Sequence, residues 1–247
     1  GITESDWHSG PGCESAYIAF DPENPDVLYG GCYQGLIERL NLATMEGKDI
    51  MQYPSLNLAI EPKDMKFRYN WNAPIVASPH DPSVIYHAGN VVFKTTDGGM
   101  SWEQMSPDLT RNDPEKQGPG GGPLTNEGAG GENYNTIYCL QESTLEPGMI
   151  VTGSDCGLIQ MTRDGGDSWT DITPKNLPES NVHSLELSPH DAGTIYIAPN
   201  RFKFNDMSAM AYKSTNYGKS WTPINTGIRE DDFLRVIRED PKVPGLL

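Results

Sequence analysis

The sequence predicts an all-β fold, a β-propeller built from four-stranded antiparallel blades, and three observations support this fold class. One eight-residue pattern that ends in tryptophan occurs in three copies, which we call the repeat turns: 95–102, 162–169 and 214–221. A short apolar run precedes each copy, and another strand begins after it. A second repeat, a turn with proline or aspartate followed by a β-branched run, lies upstream of each copy. Internal repeats of this kind indicate copies of one supersecondary unit, here a propeller blade.

The repeat turns have the chemistry of tight hairpin turns. Their third position holds Asp or Asn, whose short polar side chain can bond the backbone of its own turn. Their fifth position is always glycine, which predicts positive φ there, whereas Tyr217 at the fourth position predicts that positive φ is not needed at that position. The tryptophan is expected to pack a large apolar area against the hairpin. A structural role is therefore favoured over a catalytic one for Asp97, Gly99, Trp102, Asp164, Gly166, Trp169, Asn216, Gly218 and Trp221.

The upstream turns divide the chain into blades. They start near Asp21, Ser78, Glu146, Ser188 and Asp240, and His80 and His190 share one position of the repeat, which favours a turn role for both histidines. The predicted blades cover 11–60, 70–110, 134–175 and 181–226, and 232–247 starts a fifth. About four blades are fewer than a propeller usually needs to close. We therefore expect an incomplete part of a larger propeller, completed by further sequence of the same protein or by another chain.

Within the blades, apolar and β-branched runs bounded by turn residues predict the strands. Blade one, which lacks a recognisable repeat turn, has three predicted strands, and blades two to four have four each. A last run, 233–239, begins the fifth blade. The long segment 112–134, rich in glycine and proline, is predicted to be an inserted loop. The strands are expected at 15–20, 27–31 and 36–42; at 73–78, 84–87, 91–95 and 101–105; at 136–141, 149–153, 158–162 and 168–172; and at 182–187, 194–198, 209–214 and 220–224.

Composition excludes several classes of partner. The 247 residues carry a formal net charge of −16, which argues against nucleic acid and anionic membranes as partners, since both require a basic surface. No apolar stretch has transmembrane length, and the sequence at Gly1 has no signal-peptide pattern. The four cysteines have no metal-type spacing. Disulfides Cys13–Cys32 and Cys139–Cys156 are conceivable, although free cysteines are the favoured interpretation.

The chain resembles a bacterial family of Asp-box (BNR-like) repeat propellers, described as sortilin-like or "glycosyl hydrolase" repeat proteins. The resemblance rests on the repeat turns together with the runs 19–22, 69–74, 78–82, 106–113, 153–155 and 238–241. It implies a β-propeller in a secreted, periplasmic or cell-surface protein, with the Asp-boxes as structural clips on the outer rim of the blades. The family's hydrolase label derives from the shared repeat, so the resemblance does not fix an activity.

Ligands of propellers usually meet the face formed by the loops that lead into the first strand and the loops between second and third strands. On this loop face the candidate ligand-binding residues are Tyr33, Asn90, Asn133, His183, Asn200 and Arg201. A glycosidase would need two carboxylates roughly 5 to 9.5 Å apart, and the weak candidates for such a pair are Glu132, Asp155, Asp206 and Asp232. No cofactor or metal is implied. A structural calcium at Asp108 and Asp113 is an alternative to solvated turn residues there.

These observations favour a non-catalytic, extracytoplasmic propeller module that binds a protein, peptide or carbohydrate ligand on its loop face. One alternative is a fragment of a glycoside hydrolase-like propeller that uses a carboxylate pair. Another is a structural component of a cell-surface assembly. A hydrolase predicts two acids converging in one cleft with one pKa raised by burial, whereas a binding module predicts aromatic and polar groups spread over a broader surface.

Overall fold

The computed structural model describes residues 1–14, 17–55, 57, 60–118 and 133–247, and its strands form four sheets that confirm the all-β propeller fold. Each sheet is antiparallel and has four strands in chain order from the first strand to the fourth. The strands are β1 (Ile18–Phe20), β2 (Val27–Gly31), β3 (Ile37–Asn41), β4 (Glu46–Asp49), β5 (Ile75–Ala77), β6 (Ile85–Ala88), β7 (Val92–Thr95), β8 (Glu103–Gln104), β9 (Ile137–Glu142), β10 (Ile150–Ser154), β11 (Ile159–Thr162), β12 (Thr170–Asp171), β13 (Asn181–Leu187), β14 (Ile195–Asn200), β15 (Tyr212–Ser214) and β16 (Thr222–Pro223).

The sheets are the blades, and their first strands lie innermost. Strand β1 contacts β5, β5 contacts β9, and β9 contacts β13, so consecutive first strands stand side by side around a common axis. The fourth strand of blade one, β4, had no sequence signal because its hairpin turns at Met45, a non-glycine residue with φ of 56°. Short 3₁₀ turns complete the structure at Glu4–Asp6, Tyr33–Gly35, Pro62–Asp64, Pro114–Lys116 and Phe202–Phe204.

The hydrophobic core lies between blades. Alternate residues of a strand point to opposite faces of its sheet, so each blade offers one apolar face to the blade before it and one to the blade after it. One cluster joins blades one and two through Tyr29, Ile37 and Ile85. Equivalent clusters join blades two and three and blades three and four. Burial of these faces is what holds neighbouring blades together.

Each repeat turn is closed by its own side chains. In all three turns the first-position hydroxyl accepts a hydrogen bond from the backbone N–H of the fifth-position glycine, at 3.0, 2.9 and 2.9 Å. The third-position side chain accepts a bond from the seventh-position backbone N–H at 2.9, 2.9 and 3.0 Å. In Asp97 and Asp164 these bonds, led by the serine hydroxyl at the seventh position, lower the carboxyl pKa from 3.8 to about 2.

The tryptophan of each repeat turn bonds to the preceding blade. Its indole N–H donates to the backbone carbonyl of an apolar residue that directly follows the fourth strand of that blade. The three bonds run from Trp102 to Ile50 (2.8 Å), from Trp169 to Met105 (3.1 Å) and from Trp221 to Ile172 (2.7 Å). The same apolar residues pack with the tryptophans in the clusters between blades. The sequence predicted packing within the hairpin, and the structure adds a hydrogen bond across the blade boundary.

Histidines of the upstream turns make a second link between blades. His80 Nε2 lies 2.6 Å from the Ser143 carbonyl oxygen in the next blade, and His190 Nε2 lies 2.9 Å from the Asp240 carbonyl oxygen. The turn after Asp240 has the same closing bond as the four earlier turns, with the Asp240 N–H donating to the Leu246 carbonyl at 2.8 Å. Residues 233–240 therefore occupy the place of a first strand beside blade four, although they form no regular strand because no described strand pairs with them.

The amino-terminal segment is tied to blade one by a disulfide between Cys13 and Cys32. Cys139 and Cys156 are buried thiols, so the second conceivable pairing does not form. Burial raises the pKa of the Cys139 thiol to about 12 and that of the Cys156 thiol to about 11, which keeps both in the unreactive thiol form.

Replacing Gly166 with alanine is expected to loosen blade three from blade two. Gly166 has φ of +105°, and a Cβ there would lie 2.8 Å from the Met105 carbonyl oxygen, whereas a Cβ on Gly165 (φ +71°) meets nothing within 4 Å. We expect G166A to lower the free energy of unfolding by about 2 kcal/mol more than G165A, measured by urea denaturation. Both variants carry the positive-φ penalty, so equal losses would contradict a steric contact with the preceding blade.

Candidate axial site on the loop face

Two β-bulges aim side chains at the axis. In blade three, Ile137 pairs with Ser154 and Cys139 with Gly153, so that Tyr138 is the extra residue of strand β9. In blade four, His183 is the extra residue of β13 in the same way. A bulge bends the strand and redirects its side chain, and bulges are frequent beside functional sites. Tyr138 and His183 lie five residues before Ser143 and Ser188, the residues that close the following turns. Arg235 lies five residues before Asp240, the equivalent residue of the last turn. We call Tyr138, His183 and Arg235 the axial ladder.

The members of the axial ladder touch one another. The rings of Tyr138 and His183 have centroids 4.8 Å apart, and Arg235 Nε lies 3.2 Å from His183 Nε2. Burial, with the nearby positive charges of Arg235 and Lys203, lowers the pKa of His183 to about 4. At neutral pH the imidazole is therefore uncharged, and its Nε2 can accept a hydrogen bond from the Arg235 guanidinium.

Aromatic rings flank the axial ladder. Phe202 and Phe233 are stacked with centroids 5.3 Å apart, and the Arg235 guanidinium lies 5.5 Å from the Phe202 centroid. Arg201 lies 4.7 Å from the centroid of Phe204 in the same manner. These distances are in the range of cation–π attraction. The result is a partly exposed patch of aromatic and cationic groups beside the axis.

The corners after the second strands place one residue of each blade at the same level: Tyr33, Asn90, Asp155 and Asn200. Tyr33 is half-buried, with its ring 5.5 Å from that of Trp71. Asn90 is buried, accepts the Arg68 N–H at 3.0 Å and donates to Asp108 at 2.8 Å. Asn200 is buried and donates to the Leu234 carbonyl at 3.3 Å, and its Oδ1 has no partner within the described residues.

Asp155 is a buried acid that its own blade holds in place. Its two oxygens accept hydrogen bonds from the backbone N–H (2.9 Å) and the hydroxyl (2.8 Å) of Thr136. Burial raises the pKa of Asp155 to about 7, although the Thr136 bonds and the charges of Lys203 and Arg68 act in the opposite direction. Asn133, a predicted ligand-binding residue, is also buried and donates to the Tyr69 carbonyl at 3.1 Å. Both side chains serve the packing of the loops.

Sequence reasoning missed an acid on the loop face, Glu179. It accepts hydrogen bonds from the Tyr134 hydroxyl and from Lys116 Nζ at 2.6 and 2.7 Å, and its backbone carbonyl accepts one from Arg201. Burial by itself would raise the pKa of Glu179, but the bonds from Lys116 and Tyr134 and the charge of Arg111 outweigh it and lower the pKa. Glu179 is thus an ionised anchor for three loops.

Two further candidate carboxylates, Asp206 and Asp232, each lie beside an arginine. Asp206 bonds to the Ser208 hydroxyl and N–H and to Arg201 Nε at 2.9 Å, and these contacts lower its pKa. Asp232 is exposed, with one oxygen 3.6 Å from Arg229 Nε. Glu132 lies outside the described residues.

Polar contacts also occupy the candidate calcium residues. Asp108 accepts Arg68 Nη2 at 2.5 Å and the Thr110 hydroxyl at 2.6 Å, and Asp113 caps the 3₁₀ turn at Glu115. In the part of the chain that the structure describes, no three His, Cys, Asp or Glu side chains are grouped to hold a metal ion.

Two residues of the axial ladder, Tyr138 and Arg235, were not predicted from the sequence. Each lies five residues before the residue that closes an upstream turn in the structure, Ser143 or Asp240, but the sequence placed the turn of blade three at Glu146. That count becomes meaningful only once the bulge at the position is known. His183 and Arg201 were predicted, and the structure brings both to the patch around the axis.

No protein-family model matches the chain, and no curated protein matches it in sequence. Solved structures similar to it include the extracellular domain of the putative one-component system BT4673 from B. thetaiotaomicron, with TM-score 0.55 and 14 % identity over 96 % of this chain and 25 % of that one. YCF48 bound to D1 peptide has TM-score 0.53 and 16 % identity over 92 % of this chain and 57 % of that one. The GH74 xyloglucanase from Xanthomonas campestris has TM-score 0.52 and 17 % identity over 86 % and 30 %.

These similarities support the propeller fold, and at such identities they show the fold alone. The chain spans 57 % or less of each of these three proteins. The narrower resemblance to Asp-box and sortilin-like repeats stays a prediction. Among the described residues, no helix has the length and apolar character needed to span a membrane.

The raised pKa of Asp155 predicts how stability depends on pH. The folded protein holds this proton up to about pH 7, whereas the ordinary pKa of the group is 3.8. Between these values the native state binds more protons than the unfolded state, so stability falls as pH rises from about 4 to about 7. The slope is at most about 1.4 kcal/mol per pH unit.

The D155N variant, which can keep both bonds to Thr136, should lose this contribution, whereas D232N should retain it. Urea denaturation at several pH values between 4.5 and 8 measures the difference. Identical pH profiles for D155N and the unmodified chain would show that Asp155 is not the titrating group.

Proposed function

We propose that this chain is a non-catalytic binding module of a secreted, periplasmic or cell-surface protein and that it binds a peptide or protein segment at the axial end of its loop face. The axial ladder carries the proposal. Successive inner strands turn Tyr138, His183 and Arg235 toward one place, where aromatic rings and a cation remain accessible. Such amphipathic groups are enriched in protein-binding surfaces.

Binding is favoured over hydrolysis because the described loop-face acids already have partners. Asp155 is buried with both oxygens bonded to Thr136, and Glu179 is bonded to Lys116 and Tyr134. The raised pKa of Asp155 and the lowered pKa of Glu179 are the one feature that favours the hydrolase alternative. A general acid must, however, reach its substrate, and Asp155 is only 6 % exposed.

The disulfide supports an extracytoplasmic location. Disulfides such as Cys13–Cys32 persist in oxidising compartments and are rare where thiols are kept reduced. YCF48, which shares the fold, is known in a structure bound to D1 peptide. A peptide is therefore a reasonable ligand class for a propeller of this kind, and a carbohydrate that stacks on the same aromatic rings is the alternative.

We further propose that residues 233–246 are the beginning of a fifth blade that further sequence of the same protein or another chain completes. The segment is held in a first-strand position by the contacts of His190, Ser184 and Tyr196. Within the described residues, the backbone amides of Val236 and Arg238 have no hydrogen-bond partner, and they alternate with the Asp240 amide that closes the turn. A second strand would pair along this edge, as β2 pairs with β1.

Selection of a displayed random-peptide library against the chain tests the binding proposal. We expect enriched peptides whose affinity falls at least ten-fold in H183A, because the variant removes a central group of the axial ladder, while H8A, at an exposed histidine, binds as before. Circular dichroism checks that H183A is folded. Failure to enrich any peptide would contradict the proposal. Glycan hydrolysis that is lost in D155N would replace it with the hydrolase alternative.

Amide hydrogen exchange tests the fifth blade. The Val236 and Arg238 amides should exchange rapidly in the isolated 247-residue chain and slowly in the native protein or complex purified from its source, because strand pairing protects amides. Protection of the Ile237 amide, which donates to Ser184, serves as the internal control and should be similar in both. Rapid exchange of Val236 and Arg238 in both proteins would refute completion at this edge.

A further inference from the structure

We infer that Arg235 is a carboxylate-binding arginine, whose guanidinium pairs with a carboxylate of the peptide that occupies the axial site. The inference rests on the proposed function and adds the chemical class of its ligand, an acidic peptide. It follows from three features of Arg235: its lack of an acidic partner among the described residues, the contacts that orient its guanidinium, and the second cation near its imidazole partner.

Arg235 differs from the other described arginines of this face, which already have acceptors. Arg68 pairs with Asp108 at 2.5 Å, Arg201 with Asp206 at 2.9 Å, and Arg229 with Asp231 at 2.8 Å. Arg235 is exposed, and its contacts among the described residues are those with His183 and Phe202. In a chain with a net charge of −16, a guanidinium without a carboxylate at such a site is an unusual placement.

The guanidinium is held in one orientation. Its Nε–H donates to the uncharged His183 imidazole at 3.2 Å, and its guanidinium carbon lies 5.5 Å from the centroid of the Phe202 ring. Phe202 is itself stacked on Phe233. These contacts use the Nε–H and leave the terminal N–H groups for a ligand. That is the arrangement from which arginine binds a carboxylate through two parallel hydrogen bonds.

A second cation, Lys203, lies near the imidazole that Arg235 contacts. Lys203 lies close enough to act on His183 together with Arg235, and both charges oppose protonation of the imidazole. A bound carboxylate would offset this repulsion. The negative charge of the rest of the chain repels acidic peptides in general, so the site selects a peptide that presents its carboxylate to Arg235.

Nuclear magnetic resonance titration of the arginine Nε–Hε signals tests the inference with defined probes. The probes are the peptide acetyl-Gly-Tyr-Gly-Glu-Gly-amide, the same peptide with glutamine in place of glutamate, and glucuronate. We expect the glutamate peptide to shift the Arg235 signal and to bind at least ten-fold more tightly than the glutamine peptide. The difference should shrink in 0.5 M salt, since ion pairing is screened.

Matched variants assign the effect to one side chain. R235Q should reduce the preference for the glutamate peptide to less than two-fold. R229Q, which changes an exposed arginine of the same segment that is paired with Asp231 and Asp232, should leave the preference intact. R235K keeps the charge but not the two parallel donors, so an intermediate preference is expected.

Each outcome separates this inference from the binding proposal. Equal binding of both peptides overturns the carboxylate assignment, while library-selected peptides that still bind leave the proposed function intact. A shift with glucuronate and none with either peptide assigns the site to sugar acids and overturns the acidic-peptide inference. Loss of the preference in R229Q as well as in R235Q overturns the assignment to Arg235.

Discussion

The hydrogen bond from each repeat-turn tryptophan to the blade before it is the constraint on which the architecture depends. It ties the hairpin between third and fourth strands of one blade to the exit of the fourth strand of the previous one. The indole also adds apolar area to the cluster between the blades. One net hydrogen bond contributes only about 1 kcal/mol, but it fixes the spacing and angle at which two apolar faces meet. The fifth-position glycine is required because the previous blade leaves no room for a Cβ.

Because the repeat turns stabilise the outer rim, the residues at the axis can differ between blades without loss of the blade architecture. The repeat turns stabilise the outer rim, where their polar side chains are bonded within the turn and their tryptophans face inward between blades. At the axis the same strands carry different residues in each blade, and β-bulges turn Tyr138 and His183 out of the regular pleat. A rigid frame with variable inner positions is the usual way in which a propeller supports many functions on one fold.

The electrostatics of the loop face follow the same logic. Acids there stay buried as structural acceptors, as Asp155 does, or are bonded to neighbouring cations, as Glu179 is. The charge of Glu179 is therefore matched by Lys116, whereas burial disfavours the charged form of Asp155. Arg235, the exposed cation of the axial ladder, has no carboxylate partner among the described residues. The proposed site is therefore positively charged, although the net charge of the chain is −16.

The sequence by itself determined the blades, because tight turns and β-branched runs are local signals that need no partner to be read. It placed the second and third strands within one or two residues, except β15, which begins three residues later than predicted. It predicted positive φ correctly at Gly99, Gly166 and Gly218, but it was wrong about the fourth position of the repeat turns, where Tyr217 also has positive φ (58°). It did not predict β4, since the turn before that strand is made at Met45 and not at a glycine. The direction of the tryptophan bonds, the burial of Asp155 and the approach of Arg235 to His183 were decided only by tertiary structure. The tryptophan bonds and the Arg235–His183 contact join residues about fifty positions apart or more in the sequence. The burial of Asp155 depends on how closely the blades and loops pack. No single segment of the sequence contains this information.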